Sequence, residues 1–235
     1  GSRGRINVSA LEHWMNPPND VHYPLTQLVS IEDTSNRGGG AIYDFNEIKS
    51  IRSFCNMQGL PLHLDGARVC NALVENNINM QEYGRQFDSI SVCLSKGLGA
   101  PIGSLLLGDT DFIERARRVR KVFGGGMRQA GCIAAAGLYA LEHNIHRLKQ
   151  DHDHAKRIEV QLHKMDWVDD VLPVETNIIV CMLKDHNRVQ EFVTKFESKG
   201  ILIMPFGRGM LRMVTHLDIS EAKTDELCEA INKMK

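Results

Sequence analysis

Short apolar runs alternate with segments of helical spacing along this chain, and that alternation restricts it to few folds. Residues 25–31 form a short apolar run that ends at the turn Asp33-Thr34-Ser35-Asn36. Residues 44–57 then place Phe45, Ile48, Ile51 and Phe54 on one face, which predicts a helix. Leu60-Pro61-Leu62-His63-Leu64 predicts a buried strand ending at Asp65-Gly66, residues 89–94 predict a second, and residues 102–107 a third. Strands separated by helices predict a mainly parallel sheet in an α/β domain. Gly38-Gly39-Gly40 marks a loop that must bend sharply or approach another segment closely.

Beyond the strands, residues 111–122 predict a basic amphipathic helix, and Gly124-Gly125-Gly126 breaks it. Residues 128–148 predict one long helix, whose Ala134-Ala135-Ala136-Gly137 segment suits close packing. The character changes near Gln150. A helix, a strand at 177–183, a helix at 188–198, short strands at 201–205 and 211–214, and a helix capped by Ser220 are expected. The expectation is two α/β domains, a larger one over residues 1–150 and a smaller one over residues 151–235.

Composition excludes several function classes. A formal net charge of −1 argues against a nucleic-acid or membrane-surface binder, since either normally carries a basic excess. No apolar run approaches the ~18 residues of a membrane span, and the polar start Gly1-Ser2-Arg3-Gly4-Arg5 has no secretory core behind it. The six cysteines form no C-x-x-C pair and sit mostly in apolar runs, which points to free thiols in a reducing, cytoplasmic setting. His143, His146, His152 and His154 lack the pattern of a metal site and predict a polar helix surface, so no metal is expected.

Two strand ends carry the chemistry. Asp65 closes one apolar strand and Lys96 follows another. Ligands of open parallel α/β sheets gather at the carboxyl ends of the strands, so an acid and an amine are placed to face one pocket. Each residue alone also reads as ordinary structure, Asp65 as a turn residue and Lys96 as a solvated charge.

Four separated blocks, however, resemble the low-specificity threonine aldolases. They are His63-Leu64-Asp65-Gly66-Ala67-Arg68, Ser95-Lys96-Gly97-Leu98-Gly99-Ala100-Pro101-Ile102-Gly103-Ser104, Gly124-Gly125-Gly126-Met127-Arg128-Gln129-Ala130-Gly131 and Arg212-Met213-Val214-Thr215-His216-Leu217-Asp218. They fall in the family's order, and the resemblance covers nearly the whole chain. It implies the type I fold of pyridoxal 5'-phosphate enzymes, with a large domain incomplete at its N-terminus and a small C-terminal α/β domain. It implies retro-aldol cleavage of L-threonine or L-allo-threonine to glycine and acetaldehyde.

The resemblance also implies roles. Lys96 matches the lysine that holds the cofactor, for which a primary amine is required because an amino-acid substrate must be able to displace it. Asp65 matches the acid beside the pyridine nitrogen. Arg68 matches an arginine that contacts cofactor or substrate, and Arg212 the arginine that grips the substrate carboxylate with its planar fork. Arg128 follows three glycines and reads either as an anchor for the cofactor phosphate across a subunit interface or as a surface charge at a helix start. His22 aligns with a histidine near the substrate hydroxyl. A homo-oligomer, dimer or tetramer, is implied. Family members carry a further N-terminal stretch with a Gly-Thr phosphate turn and a stacking histidine, and neither is found here. Alternatives are another reaction on the same fold, transamination or β-elimination, or a non-catalytic fragment of an oligomer.

Overall fold

The first three strands pair side by side in one direction. In the computed structural model, which describes residues 1–234, β1 (Val29–Glu32), β2 (Leu62–Asp65) and β3 (Ser89–Cys93) are parallel neighbours, and β4 (Ser104–Gly108) joins β3 antiparallel. The register sets Glu32 beside Asp65, so β1 and β2 end level, and Asp65 beside Ser91, so β3 runs on past them to Cys93.

The helix expected at 44–57 is α2 (Phe45–Gln58), preceded by α1 (Val8–Trp14). Asp44 caps α2 by accepting from the Asn46 amide, and Gly59 ends it in the left-handed conformation. Ile48 and Ile51 are fully buried with Leu62 and Leu64 of β2. Each such side chain contributes roughly 1.5–3 kcal/mol by leaving water. The stretch between β2 and β3 forms α3 (Val69–Asn76) and α4 (Met80–Gly84), and α5 (Thr110–Val122) follows β4.

Two expectations are corrected. The third strand, β4, is exposed along its whole length rather than buried, because it lies at the edge of its sheet beside β3 alone. The long helix at 128–148 is broken into α6 (Gly131–His143) and α7 (Leu148–Leu162). At the break, the Asn144 side-chain amide donates to the Leu98 carbonyl at 2.8 Å, which holds the chain out of helical register.

The second sheet has the order β5-β6-β8-β7, antiparallel throughout, built from β5 (Val168–Val171), β6 (Ile178–Leu183), β7 (Met204–Pro205) and β8 (Met210–Val214). Phe192 and Phe196 of α8 (Val189–Glu197) and Ile231 of α9 (Glu221–Asn232) are buried in its core. Ser220 caps α9 as expected, accepting from the Lys223 amide. Helix α7 serves both cores: Leu148 belongs to the first, and Ala155, Ile158 and Leu162 to the second. The face it turns inward also carries His152, which is fully buried, so the histidine-rich stretch is not simply a polar surface.

Residues 38–40 join the two halves. The Thr176 hydroxyl donates to the Gly40 carbonyl at 2.9 Å. Gly40 has φ +73°, and a Cβ there would lie 2.4 Å from the Thr176 hydroxyl oxygen, so both conformation and contact require glycine. Among the described residues, no helix is long and apolar enough to cross a membrane.

Candidate active site

The loop after β3 is closed on itself. Leu94 accepts from the Ala100 amide at 3.0 Å, and the Lys96 carbonyl accepts from the Gly99 amide at 2.9 Å. Leu98 and Ala100 are buried and anchor the loop, which leaves Lys96 facing outward. Gly99 has φ +74°, and a Cβ there would press on Leu217 at 3.0 Å. Lys96 has no ion-pair partner among the described residues. It lines a cavity of about 440 Å³ together with Arg68, Ser95, Asn177 and His216. The first sheet therefore supplies Lys96 and Arg68 to this cavity, and the second sheet supplies Asn177 and His216.

Asp65 stands at the end of β2, where its Oδ1 accepts from the Ala67 amide at 3.1 Å. It does not line the cavity itself. Arg68 stands at the N-cap position of α3, makes no side-chain capping hydrogen bond there, and is partly buried. Burial pulls its pKa down, against the pull of Glu32, Cys93 and Asp65 upward.

Arg212 on β8 donates to Asn36 Oδ1 at 3.0 Å and lies over the Phe206 ring, 5.6 Å from its centre. Its Nε is buried and has no hydrogen-bond partner. Burial lowers the Arg212 pKa first, and the positive charge of Arg68 lowers it further. Neither arginine forms an ion pair with a carboxylate among the described residues. Two guanidinium groups close enough to repel each other, one with an unused buried N–H, favour an anionic ligand.

Arg128 and His22 do not line this cavity. Arg128 is exposed in the loop before α6. His22 is exposed and paired with Asp20, whose carboxylate lies 2.8 Å from its Nδ1. Asn36, Asn177 and Phe206 were not singled out from the sequence. Asn36 lies in a turn that the sequence marked, and His216 lies in the block that contains Arg212, so a sequence signal existed for both positions. None marked Asn177, whose side-chain amide donates to the Thr215 carbonyl at 2.8 Å while its Oδ1 stays buried and unpaired.

Comparison with known proteins bears on the family and the fold. A family model described as beta-eliminating lyase matches residues 1–186. The low specificity L-threonine aldolase of Escherichia coli K12 is 40% identical over 212 residues, which is 89% of this chain and 61% of that protein. The chain thus spans about three-fifths of that relative's length. Among solved structures, the threonine aldolase of Leishmania major superposes with a TM-score of 0.82 at 20% identity, covering 99% of this chain and 68% of that one. An ornithine aminotransferase from Toxoplasma gondii, described with partial occupancy of PLP at its active site, superposes with a TM-score of 0.67 at 16% identity, covering 97% and 54%. These structural likenesses show the fold expected of type I pyridoxal-phosphate enzymes, and with the sequence match they show that the chain belongs to the beta-eliminating lyase family, alongside the threonine aldolases.

Proposed function

We propose that this chain carries the catalytic centre of a pyridoxal-phosphate-dependent aldehyde-lyase that cleaves L-threonine or L-allo-threonine to glycine and acetaldehyde. The observation that carries this reading is the cavity that joins the unpaired amine of Lys96 to Arg68; Arg212, outside its lining, is close enough to feel the charge of Arg68 and has a buried Nε with no partner. These residues fit the cofactor: an amine to hold it, a carboxylate at the end of the neighbouring strand, and guanidinium groups for an anion.

When bound, pyridoxal phosphate supplies an electron sink for the electron pair left at Cα. Lys96 offers its Nζ to hold the cofactor. Asp65 keeps a proton on the pyridine nitrogen, since a carboxylate favours the charged form of a group beside it. Arg212 and Arg68 bind the substrate carboxylate and orient the Cα–Cβ bond for cleavage. His22 takes the β-hydroxyl proton, and Arg128 binds the phosphate. Because both are exposed and line no part of this cavity, these two roles rest on contact with a second copy of the chain. A homo-oligomer, dimer or tetramer, and a cytoplasmic setting belong to the same reading, as does a division into domains over residues 1–150 and 151–235.

The test is product analysis with pyridoxal phosphate and L-threonine. Equimolar glycine and acetaldehyde are expected. Formation of a keto acid with free ammonia would replace this reading with elimination, and a keto acid without free ammonia would replace it with transamination.

A further inference from the structure

His152 on α7 is fully buried, and each of its ring nitrogens faces an oxygen atom of α3. Nδ1 lies 2.8 Å from Glu75 Oε2, and Nε2 lies 2.9 Å from Asn71 Oδ1. A neutral imidazole has one N–H and one lone pair, whereas a carboxylate and an amide oxygen only accept. Both contacts are satisfied together only by the imidazolium form.

The Asn71 amide is held from its other end. Its Nδ2 donates to the Arg68 carbonyl at 3.3 Å, and the Asn71 backbone amide donates to the same carbonyl at 2.9 Å. Turning the amide over would set its oxygen against that carbonyl. The orientation of Asn71 is therefore coupled to the protonation of His152, and Arg68 lies one hydrogen bond away.

The charges around the ring act in both directions. Burial is the largest effect and leaves the His152 pKa below the ordinary histidine value, although Glu75 and Asp151 pull it up; Lys149 opposes the proton as well. Asp151 is itself paired with Arg147. Glu75 also accepts from Lys149 and Lys156, and burial, which would raise its pKa, is outweighed so that it falls to about 2. Glu75 is thus an anion, and an acceptor only, throughout the physiological range.

We propose that His152 is a positioning residue for the cavity: as imidazolium it locks Asn71, which fixes the Arg68 residue at the start of α3, and as neutral imidazole it releases that lock. This rests on the reading of Arg68 as a substrate-carboxylate ligand. Its consequence is that KM for L-threonine rises as His152 loses its proton.

The first measurement is nitrogen NMR of the cofactor-loaded, isotope-labelled chain between about pH 4 and pH 8, a window that reaches below the ordinary histidine range because burial lowers the His152 pKa. His152 is expected to show two protonated ring nitrogens at the acid end, with its deprotonation shifting the Asn71 side-chain amide in step. A single neutral tautomer across the range, or a titrating His152 with an unmoved Asn71 amide, would overturn the proposal. The second measurement is the kinetics of His152→Gln, which keeps one donor and removes the titration. KM is expected to rise about tenfold with kcat within about twofold, and the pH dependence of KM to flatten. A lower melting temperature with an unaltered KM would make His152 purely structural and sink the idea. If the loaded chain releases no acetaldehyde, the aldolase reading fails, and the imidazole and amide resonances still decide this proposal.

Discussion

The Arg212 guanidinium donates to Asn36 Oδ1 at 3.0 Å, a bond that joins β8 of the second sheet to the turn after β1 of the first. The bond uses one arm of the fork and leaves Nε without a partner. Arg212→Lys would keep the charge but lose the planar two-pronged donor. KM for L-threonine is expected to rise about tenfold or more, corresponding to a lost charged hydrogen bond of roughly 1.5–3 kcal/mol. Steady-state kinetics of the cofactor-loaded protein checks this, and an unchanged KM would remove Arg212 from the substrate site.

Asp65 ends β2 beside Glu32, the end of β1, and beside Ser91 in the middle of β3. Asp65→Asn retains an oxygen for the Ala67 amide, so the local turn should survive. The loss of charge is expected to lower kcat by about two orders of magnitude, roughly 3 kcal/mol in barrier height. Retained activity would leave Asp65 a turn residue only.

Part of this site was legible in the sequence for a physical reason. Apolar runs end where strands end, and strand ends are where such folds bind ligands, so Asp65, Arg68 and Lys96 stood out. What was not legible depends on contacts between distant segments. The break before α7 is held by Asn144 on the Leu98 carbonyl, and the exposure of β4 follows from its edge position. Neither leaves a mark in local spacing. His152 did leave one. Leu148, His152, Ala155 and Leu162 recur at helical spacing, and all four are fully buried, yet the surrounding charges drew the stretch toward a surface reading.

Asp33 gives a pH prediction. It is fully buried, the Tyr83 hydroxyl donates to it at 2.5 Å, and burial raises its pKa to about 7, against the hydrogen bonds that lower it. The folded chain therefore holds this proton more tightly than the unfolded chain does. Its contribution is fully present below the unfolded carboxylate value, about 3.9, and is lost as pH rises through about 7. Urea unfolding should show that Asp33→Asn gains stability relative to the parent at about pH 8 compared with about pH 5. A pH-independent difference between the two proteins would contradict this.

The exposed edge of the first sheet bears on assembly. Leu105, Leu106 and Leu107 of β4 are exposed, and so are Val122, Phe123, Met127 and Tyr139. An edge strand with unpaired backbone groups and open apolar side chains favours association. Light scattering on the isolated chain is expected to give a mass above that of the monomer. A clean monomer at micromolar concentration would count against a homo-oligomer built on this face.

Lys96 is the residue proposed to hold the cofactor. That role is tested most directly by incubating the chain with pyridoxal phosphate, reducing the adduct with borohydride, and mapping the modified peptide by mass spectrometry. Because Lys96 is exposed and has no ion-pair partner among the described residues, Lys96→Ala should melt at the parent's temperature and serves as the control. The label is expected on Lys96 in the parent chain, with no comparable label in the variant. Label spread over other lysines, with Lys96 unmodified, would contradict it.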